Sequence, residues 1–178
     1  MNDLQQLAYE YAFKLAMLAL NPGYVWDAQN PVLPTVPVIQ DQQDESAPLP
    51  SGTYVAIQGS PTLDPFGTPF VEDLDTNGIR GYIQPYTATI VFWEVNGNGS
   101  KLNAIRETSF LTSAREALDS QYVTFLDTTP VTDVSYKLDN AWKMQSRMQM
   151  TVSVASRITE TVDYATQIDY TVTASRGG

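Results

Sequence analysis

Asp73-Leu74-Asp75-Thr76-Asn77-Gly78 sets oxygen-bearing side chains at alternate positions ahead of a glycine. This is the opening spacing of a calcium loop, in which Asp73, Asp75 and Asn77 would fold around one cation and the glycine would make the sharp turn. The twelfth position falls on Gln84 instead of a bidentate glutamate, and Arg80 puts a positive charge inside the loop. An acidic Asn-Gly turn leading into a strand is the simpler reading. Two carboxylates would suffice for glycoside hydrolysis, but the 20 acids are scattered and no pair is singled out. The chain has no histidine and no cysteine. That removes imidazole-dependent triads, Cys–His dyads, the usual zinc sites and any disulfide framework. No catalytic residue, bound metal or cofactor is expected. The third constellation is a stripe of Trp142, Met144, Met148 and Met150, residue types enriched at adaptable interfaces but found more often in cores.

The elements that would carry these residues follow from periodicity. From Trp142 to Val154 large or apolar residues alternate with polar ones, interrupted only at Ser146. A period of two puts successive side chains on opposite faces, so the stretch reads as one long, half-buried strand starting at Trp142. A bend follows at 156–163, and Gln167-Ile168-Asp169-Tyr170-Thr171-Val172-Thr173 alternates again as a closing strand. At the other end Leu4, Leu7, Ala8, Tyr11, Leu15, Leu18 and Ala19 recur at helical spacing, and Asn21-Pro22-Gly23 stops the helix. Residues 24–52, rich in proline, glutamine and aspartate, read as a long irregular arm with extended pieces.

Residues 53–58 alternate as a strand, and prolines and a glycine break the chain over 61–69. A second strand system spans Ile79 to Val95, with an edge, bulge or break expected at Pro85, which has no N–H to donate. After the Asn96-Gly97-Asn98-Gly99 turn, Ser100 is the expected cap of a helix running to about Asp119. Its inward residues would be Leu102, Ile105, Phe110 or Ser109, Ala114, Ala117 and Leu118. A short strand at 122–126 and a loop with Val131 and Val134 complete the order α-β-β-α-β-β-β. This predicts an α+β fold: a mainly antiparallel β-sheet with two helices packed on one face, in a single domain over 1–178.

The net charge is −10, and no basic residue occurs between Lys14 and Arg80. Such a surface repels phosphate, so sequence-specific binding of duplex DNA is not expected. It fits either a solvated acidic flank or an acidic wall past which DNA slides. The first residues lack a basic n-region and an unbroken apolar run, and no run approaches bilayer length, so no membrane association is expected.

Element by element, the chain resembles the tail-terminator (neck) proteins of tailed bacteriophages. The resemblance rests on the N-terminal helix, the proline-led entry from Pro50 to Ile57, a long strand pair, the Ala114 to Leu118 pattern ending a helix, the short strand and proline loop from Val123 to Val131, and the strand from Trp142 to Arg147. Lys143-Met144 after the tryptophan and the length of the proline-rich arm depart from the family pattern. The resemblance implies a structural virion protein at the neck: a homo-oligomer, a hexameric ring, assembled in the host cytoplasm, that caps the tail tube and joins it to the head connector. Implied partners are tail-tube and possibly sheath subunits and the connector proteins, with DNA passing through the ring unbound. Trp142, Met144, Arg147 and Met148, with Tyr82 and Trp93 on the other long strand, are then candidate subunit-interface residues. A head-completion, stopper or collar protein is the neighbouring alternative. A secreted β-rich binding or glycan-degrading module is the alternative from another class, disfavoured by the absence of an export signal.

Overall fold

The computed structural model describes residues 2–25, 33–41, 48–71, 79–120 and 122–161. Its frame is a pair of antiparallel strands, β5 (Ile79–Val95) and β10 (Gln145–Thr161), joined residue for residue from Val95↔Gln145 to Ile79↔Thr161. In chain order the elements before the first of these are α1 (Asp3–Leu20), β1 (Val38–Gln40), β2 (Tyr54–Ile57), β3 (Thr62–Pro65) and β4 (Phe70–Val71). Between the two come α2 (Ser100–Ser109), α3 (Thr112–Leu118), β6 (Val123–Thr128), β7 (Thr132–Asp133), β8 (Tyr136–Leu138) and β9 (Ala141–Lys143). β2, β3 and β4 line the outer side of β5, β6 and β7 line that of β10, and β1 adds to β2 as the parallel edge. The fold is α+β with a mainly antiparallel sheet, as the sequence predicts.

Period-two alternation decides which face is covered. Ala88, Ile90 and Phe92 on β5 and Met148, Met150, Val152 and Val154 on β10 point to one side and are buried. The helices cover this side, α1 contributing Ala8, Tyr11, Ala12, Leu15 and Ala16, and α2 Leu102 and Ile105. Three alanines on the buried stripe of α1 let its backbone lie close to the strands. Ser146 falls in phase with this inner face and is buried, so it interrupts the apolar pattern but not the strand. At Pro85 the ladder with β10 continues without a break. Its carbonyl accepts the Phe66 N–H, so the missing N–H faces the segment where the chain leaves β3 for β4.

Several expectations are corrected. The long strand starts at Gln145, not Trp142, and shows no bend at Ser156, running on to Thr161. Trp142 instead belongs to a separate two-stranded hairpin, β8–β9, and is 71% exposed. The chain is turned back by Asp139 and Asn140, both at positive φ, as a two-residue hairpin turn with matching twist requires. Proline-rich residues 61–69 do not merely break the chain, since β3 and β4 form within them. The single helix expected over 100–119 is two, because Leu111 is extended and starts α3. Its Thr/Ser-rich sequence weakens the helix there, and the Ser109 hydroxyl bonds back to the Arg106 carbonyl. Ser109 is buried whereas Phe110 and Ala117 are exposed. The closing strand expected at 167–173 lies outside the described residues.

The expected Ser100 cap is also replaced. The N-cap of α2 is Gly99, in the left-handed region, with no side-chain cap of its own. Glu94, fully buried on the inner face of β5, takes the role from a distance: its Oε2 accepts the N–H of Lys101 (2.8 Å) and of Leu102 (3.2 Å). A carboxylate there satisfies two orphan donors and meets the positive end of the helix dipole. A Cβ at Gly97 would collide with this carboxylate, so the turn needs a glycine at that position. Glu94→Ala should cost about 2–3 kcal/mol, the loss expected when buried donors are left unpaired. Urea titration with the α2 amide protections followed by hydrogen exchange checks this, and exchange unchanged in α2 would refute the capping role.

A second polar tie joins the helices to the sheet. Asp119 Oδ1 accepts the Tyr11 hydroxyl (2.8 Å) and the Phe125 N–H (3.2 Å), while Arg115 pairs with Oδ2 at 3.5 Å. Burial, reinforced by the hydrogen bond to Asp119 and by its charge and opposed by Arg115, pushes the Tyr11 hydroxyl well above its ordinary value of 10.0. Because the folded value is the raised one, the stabilisation is fully present below about pH 10, the value for an unfolded tyrosine. It is lost as pH climbs from there through the folded value. Tyr11→Phe should therefore be less stable than wild type at pH 7 by about 1 kcal/mol, with the gap narrowing above pH 10. Denaturation midpoints measured across that range test the sign.

Candidate assembly interface

The covered face leaves two kinds of surface for contact. The first is the open face of the sheet. There Thr87, Thr89, Val91 and Trp93 of β5 stand beside Ser153, Thr151, Gln149 and Arg147 of β10, and the register sets Trp93 between Ala56 and Arg147. Val91, Tyr54 and Ala56 are buried at the β2 end, Trp93 is half-buried and Arg147 is exposed. Away from that apolar corner the surface is hydroxyl and amide, with the exposed carboxylates Asp64 beside Thr87 and Asp127 beside Thr151.

The second is the projecting structure at the two ends of the β5–β10 ribbon. Each strand has 17 residues, roughly 55 Å at about 3.3 Å per residue. The core extends along them only as far as Tyr86 and Val154. Beyond that the ribbon carries β4 and exposes Phe66, Phe70, Val71 and Ile158. Tyr82 lies on this far half, paired with Ile158 and Val71. At the opposite end the β8–β9 hairpin exposes Tyr136, Leu138 and Trp142, with Met144 at its base. The base is tied by Val134 N–H to the Gln145 carbonyl (2.8 Å), by the Ser135 hydroxyl accepting the Gln145 N–H (3.0 Å), and by Asn96 N–H to the Met144 carbonyl (2.9 Å). Asp133 accepts the Ser135 N–H, and the Ser135 hydroxyl and N–H together hold its carboxyl below the usual carboxylate value.

The sequence-derived candidates thus separate. Trp93 and Arg147 are cross-strand neighbours on the open face, Trp142 and Met144 belong to the hairpin, and Tyr82 sits on the far ribbon. Met148 is 1% exposed and packs in the core with Met150, so its side chain faces the helices and not a partner. The stripe divides because Met144 and Trp142 precede the point where β10 joins the ladder. Tyr136 and Leu138, which sequence reasoning passed over, belong with Trp142. The pattern that would have found them is two short alternating runs separated by Asp139-Asn140. The calcium-type loop of Asp73, Asp75 and Asn77 lies outside the described residues. Among the described residues no cluster of three or more potential ligand residues is placed to hold a metal ion, and no helix is long and apolar enough to cross a membrane.

The chain is an α+β sheet protein whose projecting strands carry exposed apolar residues. The family model for the phage neck terminator protein matches residues 20–175, and the chain belongs to this family. It is thereby a structural protein of the bacteriophage virion neck. No curated protein matches the chain.

The division of the stripe has a direct test. Met148→Ala should lower stability by about 2–4 kcal/mol, as truncation in a packed core does. Trp142→Ala should change it by less than about 0.5 kcal/mol. Thermal and urea midpoints of the two variants give the comparison, and equal losses would contradict the exposed placement of Trp142.

Proposed function

We propose that this single-domain chain terminates the tail by forming a closed hexameric ring on the last turn of the tail tube and linking it to the head connector, with no reaction involved. The observation that carries this reading is the family match over residues 20–175. The physical requirement is surface closure. A growing tube ends in an unsatisfied subunit interface, and a ring that covers this interface and offers no copy of it stops addition. The projecting ribbon and hairpin give such a subunit reach beyond its own core. Tyr82, Trp93, Trp142, Met144 and Arg147 are the proposed contact residues for neighbouring subunits, tube or sheath subunits and connector proteins. The hydroxyl and amide character of the open sheet face suits a wall past which DNA moves without specific binding, since it offers little positive charge to hold phosphates. Assembly takes place in the host cytoplasm, before head and tail join.

Loss of the protein distinguishes this role from that of the neighbouring connector rings. A phage lacking it should produce DNA-filled heads beside tails of unregulated length. A head-completion or stopper role instead predicts tails of normal length beside heads that leak their genome. Electron micrographs of the mutant lysate read the difference directly, and joined virions of normal form would reject both roles.

A further inference from the structure

β10 is paired along its whole length with β5, but its other side is filled only in part. β7 lies there at Ser146 and Arg147 and β6 from Met150 to Val154, and the Ala155 N–H takes the Tyr122 carbonyl where β6 begins. Alternation then turns the N–H and C=O of Thr159 and Thr161 to the same side. Among the described residues no strand runs along 158–161 there. An open edge beside exposed apolar side chains is a place where a strand can add. Ile158 is 62% exposed and stands across from Tyr82, which pairs in turn with Val71, 61% exposed. These three are in phase with Val154, on the face that the helices cover further along.

The chain itself carries a segment that fits. Residues 167–173 alternate, with Ile168, Tyr170 and Val172 on one side and Gln167, Asp169, Thr171 and Thr173 on the other. Residues 162–166 connect them to the end of β10. We propose that 167–173 folds back antiparallel along the open side of β10 in the same copy, with Thr161 opposite Gln167. Phase selects this occupant first. An odd number of connecting residues sets Tyr170 opposite Ile158, so the apolar side of the segment meets the apolar side of the ribbon. Length agrees, because a segment running back from Thr161 over 167–173 ends at Ala155, where β6 takes over. Reach excludes the other edges. On β6 the Phe125 N–H is bonded to Asp119 and the Val123 carbonyl to the Ser120 N–H. β1 starts level with Phe92, roughly 40 Å along β5 from the Ile79 that faces Thr161, whereas the connection spans at most about 20 Å. The far half of the ribbon then has four strands, β4, β5, β10 and 167–173, and Ile158 is withdrawn from contact with other chains. This pairing belongs to the single chain and does not depend on the ring reading.

Because the chain has no cysteine, an introduced disulfide can report the pairing. Ile158 and Tyr170 would form a pair without backbone hydrogen bonds, with Cα atoms about 4.5 Å apart, inside disulfide range. Ile158→Cys combined with Tyr170→Cys should oxidise to a crosslink within one chain, read by non-reducing gel and mass spectrometry on dilute protein. Ile158→Cys combined with Thr171→Cys puts the two thiols on opposite faces and should leave them free. Free thiols in the first pair, or equal crosslinking in both, would overturn the proposal. So would a crosslink between two chains, which would assign the segment to a second copy. Hydrogen exchange on the unaltered protein gives a readout that no misfolded variant can obscure. The Thr159 amide should be protected there, and Tyr170→Asp should abolish that protection while the amides of β6 keep theirs. A Thr159 amide that exchanges at the rate of an unpaired edge in the wild type, or stays protected in Tyr170→Asp, would overturn the pairing as well.

Discussion

The unbroken antiparallel ladder between β5 and β10 is the constraint from which the remaining architecture follows. Slipping β10 by one residue against β5 would send Met148 and Met150 to the open face and bring Arg147 and Gln149 under the helices. The core is therefore a register lock. With that pair set, β2, β3 and β4 can only add along one side and β6 and β7 along the other, and α1 and α2 have one apolar face to cover. The same ladder accommodates Pro85 because the missing donor falls at a gap between two short neighbours instead of inside the long pairing.

Polar groups within this core act as joints. Glu94 occupies a position that alternation reserves for an apolar residue and joins the middle of the sheet to the start of α2 through two backbone donors. Asp119 does the same for the other end of the helical layer, holding Tyr11 of α1 and the backbone of β6 at one carboxylate. Helix packing is non-directional where it rests on Leu102, Ile105 and Leu15. The two carboxylates add direction, since each accepts its two hydrogen bonds at one placement of the helix it holds.

A ladder longer than the helices that cover it leaves strand at one end without a layer above it, and the hairpin extends the molecule at the other. Those projections carry Phe70, Val71 and Ile158 at one end and Tyr136, Leu138 and Trp142 at the other. The molecule thus has a packed centre and exposed apolar side chains at both of its ends.

The period-two runs of 88–95 and 145–154, the helical spacing of 4–19 and the stop at Asn21-Pro22-Gly23 made the α+β class, the main strands and the first helix legible in the sequence alone. Local chemistry sufficed there, because burial of one face and backbone turning are set by neighbouring residues. The split of the second helix at Leu111 was partly legible, in its Thr/Ser content. What the sequence did not disclose is where alternation stops meaning burial. Trp142 and Met144 share the phase of Met148 and Met150, yet the first two precede the ladder and the last two lie under α1 and α2. Likewise Glu94 reads as a solvated acid until α2 arrives over it, and prolines at 61–69 read as breaks until β5 offers an edge to pair with. In each case the deciding partner is distant in sequence. Alternation reports which side of a strand a residue faces, and only the tertiary structure decides whether anything covers that side.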